Sequence, residues 1–124
     1  LGKRDPKYYG TLTLHEIEEK LKESFKEVSF EFFQSNHEGV LVDYIQTVDC
    51  DGIVINAAGY THTSVAIRDA LEIRVEPIVE VHLSDPDKRE DFRKINYLRD
   101  VVTTHFQGEK IESYLKAVRF LLSK

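Results

Sequence analysis

The order of patterned segments predicts an α/β protein built on a parallel sheet. Three observations carry this. Short apolar runs at 28–34 (VSFEFFQ), 52–56 (GIVIN) and 78–83 (IVEVHL) alternate with longer amphipathic stretches. Strands that alternate with helices imply crossover connections, and so parallel strands. The run at 52–56 is almost continuously apolar, as a strand covered on both faces should be. Polar segments follow all three runs directly. In such folds ligands sit beyond the carboxyl ends of the strands, so 34–37, 56–62 and 82–87 are expected to form one composite site.

The elements follow in order. Residues 1–12, rich in Gly, Pro, Lys and Tyr, read as a loop. Thr13 begins a helix with Ile17, Leu21 and Phe25 on one face, and Thr13 with Glu16 has capping-box spacing. A strand is expected at 28–34. A helix at 38–48 turns Leu41, Tyr44, Ile45 and Val48 inward. After the strand at 52–56, a helix at 62–73 carries Ala66, Ala70 and Ile73, with Thr61 or Thr63 as its cap. Pro77 opens the strand at 78–83, and 87–94 reads as a short charged helix. A last strand at 100–106 precedes a helix at 109–123 with Ile111, Leu115, Val118 and Leu122 on one face.

Composition narrows the function. At 124 residues and 14.4 kDa the chain fits a single domain, 1–124. A net charge of −5 argues against nucleic acid, whose binders usually carry a basic patch. No apolar run approaches the roughly 18 residues that span a bilayer. One cysteine, Cys50, excludes an internal disulfide and fits a reducing compartment, so a cytoplasmic location is expected. No zinc-type spacing or Gly-rich phosphate loop is visible. The chain contains no methionine and opens on loop-like Leu1-Gly2. A parallel sheet that starts with a helix is unusual, so a further strand is expected before Leu1, and the chain without it is not expected to fold stably alone.

Several residues can carry chemistry. Glu80 and His82 lie two apart on a strand and so share a face. A carboxylate beside an imidazole favours the charged ring and fixes its orientation, which suits a general acid. A structural polar pair at a sheet end is the competing reading. Asn56 to Ser64 joins a strand to a helix start, whose N–H groups suit an anion; an ordinary turn with an exposed His62 would read the same. Gln34 to Gly39 is either a binding loop or a helix-capping turn. Arg89 and Arg93 share a helical face and could grip a carboxylate or hydroxyls, or could simply be solvated. Arg4, Tyr8 and Tyr9 sit in the opening loop. Bringing a tyrosine from about 10 to near 7 takes roughly 4 kcal/mol. One arginine about 4 Å away supplies about as much at an effective dielectric near 20, with desolvation opposing it. A loop with exposed aromatics is the plainer reading. Cys50 reads as a bystander near a helix end.

Taken together, LGKRDPKYYG (1–10), FFQSNHEG (32–39), INAAGYTHTSVAIRDAL (55–71), VEVHLS (79–84) and REDFR (89–93) resemble the type II 3-dehydroquinate dehydratase family, in order and in spacing. The resemblance implies a flavodoxin-like fold with sheet order 2-1-3-4-5. It implies anti elimination of water from 3-dehydroquinate through an enolate, without metal or cofactor. On this basis Tyr9 is the base for the C2 proton, Arg4 ionises it, and Arg89 adds positive potential. His82, oriented by Glu80, protonates the leaving hydroxyl. Asn56 with the backbone at Leu83 and Ser84 holds the substrate carboxylate, and His62 and Arg93 bind ring hydroxyls. Asp69 reaches a neighbouring subunit's site in a trimer-based dodecamer.

The chain also departs from the family. The opening strand and its Pro-Asn-Leu-Asn loop, whose asparagine helps stabilise the enolate, are represented only by Leu1-Gly2. Asp85-Pro86-Asp87-Lys88 stands where the family usually has Asn and a second His. VVTTHFQGEKIESY (101–114) replaces a glycine-rich strand and turn and shares only Gly108 and Tyr114. Ala58 stands where glycine is common. These departures motivate an alternative, an inactive or weakly active homologue that binds a small cyclic acid. A phosphate-switch receiver needs an aspartate where Asn56 stands, and a flavin module would not explain Glu80, His82 and the two arginines.

Overall fold

The structure is a computed structural model that describes residues 13–83 and 90–124. Helix α1 (Leu14–Ser24) starts at Thr13, whose Oγ1 accepts from the Glu16 N–H at 3.2 Å. The Glu16 carboxylate accepts in turn from the Thr13 hydroxyl at 3.3 Å. Helix α2 (Glu38–Thr47) leads to strand β1 (Ile53–Ile55). A 3₁₀ turn (Ala58–His62) then precedes helix α3 (Val65–Glu72) and strand β2 (Ile78–His82). A second 3₁₀ turn (Asp91–Lys94), strand β3 (Thr104–Gln107) and helix α4 (Ile111–Leu122) follow.

The three strands form a parallel sheet in the order β1-β2-β3, with Ile55 beside Glu80, and Glu80 and His82 beside His105 and Gln107. Strand alternation splits the core into two layers. Ile53, Ile55 and Ile78 pack with Ile45 of α2 and with Ile67, Ala70 and Leu71 of α3. On the other face, Val54, Val79 and Val81 meet Ala117 of α4. Ile17 and Leu21 of α1, and Phe25 at its C-cap, join Leu115 and Val118 of α4 around Leu83. All five residues of β2 are buried, as the central strand of a covered sheet requires.

Four expectations are corrected. Residues 28–34 are not a strand, because no described strand lies beside them to supply a ladder. Their burial still alternates, with Val28, Phe30 and Phe32 half-buried against the α1–α4 cluster. The cap of α3 is neither Thr61 nor Thr63. Ser64 accepts from the Ile67 N–H at 2.9 Å, because the 3₁₀ turn uses up residues through His62. The inward face of α3 is Ile67, Ala70 and Leu71, while Ala66 and Ile73 face outward. Burying an Ile and a Leu is worth roughly 1.5–3 kcal/mol each, far more than burying alanine, so the bulky pair sets the rotation. Of the helix expected at 87–94, residues 87–89 lie outside the described residues, and the described remainder is a 3₁₀ turn, Asp91–Lys94, that leaves Glu90 outside it.

Candidate active site

Parallel strands put all their carboxyl ends on one edge, and β2 delivers Glu80 and His82 there on the same face. Glu80 has no solvent exposure, and His82 has 6%. The Glu80 carboxylate is held by three donors. His82 Nε2 lies 2.6 Å from Oε2, Asn96 Nδ2 donates to Oε2 at 2.7 Å, and Arg99 Nε donates to Oε1 at 2.9 Å. Burial by itself pushes the Glu80 carboxyl up. Hydrogen bonds from His82, Asn96 and Arg99 outweigh burial and hold it at about 2. Glu80 is therefore an anion at neutral pH and can only accept. It follows that His82 Nε2 carries the proton shared with Glu80, and Nδ1 is the nitrogen left to exchange a proton with a ligand.

The donors are themselves fixed. Asn96 Oδ1 accepts from the N–H groups of Leu98 and Arg99 at 2.8 and 2.9 Å, so its amide nitrogen must face Glu80. Arg99 reaches on to Gln107 Oε1 at 3.0 Å, the residue beside His82 on β3. Sequence reasoning missed Asn96, Arg99 and Gln107. The usable signal was Glu80 itself, because a carboxylate inside an apolar strand demands several donors.

The loop after β1 supplies the second group. Asn56 Oδ1 accepts from the Ala58 N–H and its Nδ2 donates to the Tyr114 hydroxyl, both at 3.1 Å. Burial pushes the Tyr114 hydroxyl up, partly offset by Asn56. Ala58 has φ of 51°, a left-handed backbone that favours glycine. His62 donates through Nδ1 to the Ile95 carbonyl at 2.6 Å, which ties this loop to the segment that carries Asn96 and Arg99. Tyr60 donates to the Asn36 carbonyl at 2.7 Å, joining the loop to the 34–37 segment.

The other expected residues are placed unevenly. Leu83 is buried, and its carbonyl accepts from the Lys110 N–H at 3.1 Å, while Gly108 N–H donates to the His82 carbonyl at 3.3 Å. Both donors lie in the β3–α4 turn, where Gly108 and Lys110 have φ of 78° and 53°. Arg93 donates to Glu90 at 2.5 Å, and its guanidinium sits 5.0 Å from the Phe92 ring centre. Asp69 is exposed on α3 and is not drawn into this group. Arg4, Tyr9, Ser84 and Arg89 lie outside the described residues. Among the described residues no His, Cys, Asp and Glu cluster is arranged for a metal ion. An open depression of about 450 Å³, lined by Arg74, Pro77, Asp100 and Thr103 among others, lies at the amino ends of β2 and β3. It is remote from the titratable pair and at the wrong edge for a ligand of this fold.

A parallel α/β sheet that presents a carboxylate-bound imidazole at its carboxyl edge is built for proton transfer to a small polar ligand. The chain belongs to the class II dehydroquinase family, whose model matches residues 1–122, and its α/β fold is flavodoxin-like. It is 45% identical over 128 residues to the 3-dehydroquinate dehydratase of Chlorobaculum tepidum, covering 100% of this chain and 86% of that one. It is 49% identical over 125 residues to the one from Bordetella avium, covering 97% and 87%. The crystal structure of type II dehydroquinase from Butyrivibrio crossotus superposes with a TM-score of 0.92 at 37% identity, covering 98% of this chain and 88% of that one. That from Propionibacterium acnes gives 0.92 at 32% identity, covering 100% and 88%.

Proposed function

We propose that this chain is a lyase that dehydrates 3-dehydroquinate to 3-dehydroshikimate in the shikimate pathway. The observation that carries this reading is the buried, ionised Glu80 clamped to His82 at the end of β2, in a chain of this family.

The chemistry fits the residue types. The C2 proton lies beside a ketone and is acidic enough for a phenolate base, assigned to Tyr9 with Arg4 to ionise it. Loss of that proton forms an enolate. The C1 hydroxyl then leaves as water once protonated, and His82 supplies the proton through Nδ1. Glu80 accepts the Nε2–H throughout and stabilises the imidazolium before transfer. The substrate carboxylate is assigned to Asn56 and the backbone at Leu83 and Ser84. His62 and Arg93 are assigned to the ring hydroxyls, and Arg89 adds positive potential. His62 suits this because Ile95 occupies its Nδ1 and leaves Nε2 for a ligand.

The same reading makes the working form a trimer-based dodecamer, with Asp69 reaching the neighbouring subunit's site; the exposed position of Asp69 on α3 supports this. It also places the protein in the cytoplasm. No helix among the described residues is long and apolar enough to cross a membrane.

The test is an ultraviolet assay with 3-dehydroquinate, following the conjugated enone of the product, with Tyr9→Phe alongside. Turnover that drops on the order of 10²-fold or more in the variant is expected. Absence of turnover by well-folded protein would favour the binding-only homologue.

A further inference from the structure

Arg99 lies in an irregular segment, contacts no expected ligand group, and yet joins two strands beneath the titratable pair. Its Nε donates to Glu80 on β2 at 2.9 Å and its Nη2 to Gln107 on β3 at 3.0 Å. Glu80 has no solvent exposure, whereas 35% of the Arg99 side chain is exposed, so the arginine brings charge to a site that water cannot reach. Its backbone is also fixed, because its N–H donates to Asn96 Oδ1 at 2.9 Å, and the same Asn96 holds Glu80. One short turn therefore supplies two of the three donors to Glu80, and each orients the other.

We propose that Arg99 is a positioning residue for the acid step. By splinting Glu80 to Gln107 it fixes the carboxylate so that His82 keeps its proton on Nε2 and presents Nδ1 for transfer. The inference rests on the reading of His82 as the acid, but its geometry stands apart from any substrate. Without Arg99, Glu80 Oε1 loses the donor that Arg99 supplies, and the carboxylate can rotate about its Asn96 contact. The imidazole then loses its fixed acceptor, and both ring tautomers become populated. Lysine cannot replace the bridge, since a single ammonium on a flexible stem cannot hold two acceptors in the fixed fork of a guanidinium.

The experiment is ¹⁵N NMR of histidine-labelled protein, with the His82 signals identified by their loss in His82→Gln. The wild type is expected to show a protonated Nε2 and an unprotonated Nδ1 when the ring is neutral. In Arg99→Ala the two shifts are expected to converge as the tautomers exchange. In the dehydration assay kcat should fall on the order of 10- to 100-fold, with KM moving less than about twofold. Arg99→Lys should restore only a small part of that loss. Gln107→Ala, which removes the far anchor and leaves the Arg99–Glu80 bond in place, should move both readouts in the same direction but less. An Arg99→Ala protein that melts earlier but keeps the wild-type ¹⁵N pattern and kcat would overturn the proposal. If Arg99→Ala does not fold, an unchanged pattern and kcat in Gln107→Ala would overturn it equally. Wild-type protein that does not turn over, with shifts that still converge in Arg99→Ala, would sink the dehydratase reading and leave the positioning role standing.

Discussion

Glu80 gathers three donors at the candidate site, and it shows how much a spacing can reveal. Two residues apart on a strand, Glu80 and His82 had to share a face, and the structure joins them at 2.6 Å. The partners that keep Glu80 ionised were not legible. Asn96 and Arg99 sit in a segment without period, so no pattern pointed to them, and only the burial demand of a carboxylate could have done so. Asn56 was legible as a strand-end polar group, but its bond to Tyr114, 58 residues away, was not. Ala58 carries a separate prediction. At φ of 51° it sits where an L-residue is strained. Relief of about 1 kcal/mol of strain, less about 0.5 kcal/mol from the freer unfolded chain, leaves Ala58→Gly more stable by about 0.5 kcal/mol. Urea unfolding should show a higher midpoint at unchanged slope, and a lower midpoint would show the left-handed backbone to be unstrained.

At the scale of elements, helix periodicity located α1, α2, α3 and α4, because each buries an apolar stripe. It erred where two stripes competed. On α3, Ala66-Ala70-Ile73 and Ile67-Ala70-Leu71 both fit a helix, and the bulkier stripe won. It also could not see that residues 58–62 form a 3₁₀ turn, which moved the cap from Thr61 or Thr63 to Ser64. The segment 28–34 shows the limit of local pattern. Its alternation of burial is strand-like, but a strand is defined by its neighbour, and local sequence does not identify one. The Ser64 cap is buried as well as bonded, so Ser64→Ala should destabilise the protein by about 1–2 kcal/mol. Loss of less than a few tenths of a kcal/mol in chemical denaturation would mean that another group caps α3.

At the scale of the whole molecule, the loop after β1 and the end of β2 lie at one edge, and the segment from Ile95 to Arg99 is bonded to both, through His62 and through Glu80. The shared edge of β1 and β2 was legible from topology alone, since parallel strands end on one side; the expected part at 84–87 lies outside the described residues. The Glu80 charge has a global consequence. The Glu80 carboxyl lies at about 2 in the folded chain against an ordinary value of 4.5. The unfolded chain therefore binds the proton more readily, and stability rises with pH across that window. The contribution is full above pH 4.5 and is lost progressively as pH falls towards 2, about 3 kcal/mol in all. Denaturant midpoints measured from pH 6 down to pH 2 should fall faster for the wild type than for Glu80→Gln.

The proposed role of His82, held by Glu80, is to give its proton to the departing hydroxyl of 3-dehydroquinate. The most direct measurement is kcat for His82→Gln in the enone assay, with circular dichroism to establish that the variant is folded. A loss of roughly 10²- to 10⁴-fold with an intact fold is expected of a general acid. A folded variant that keeps the wild-type kcat would show that His82 is not the acid.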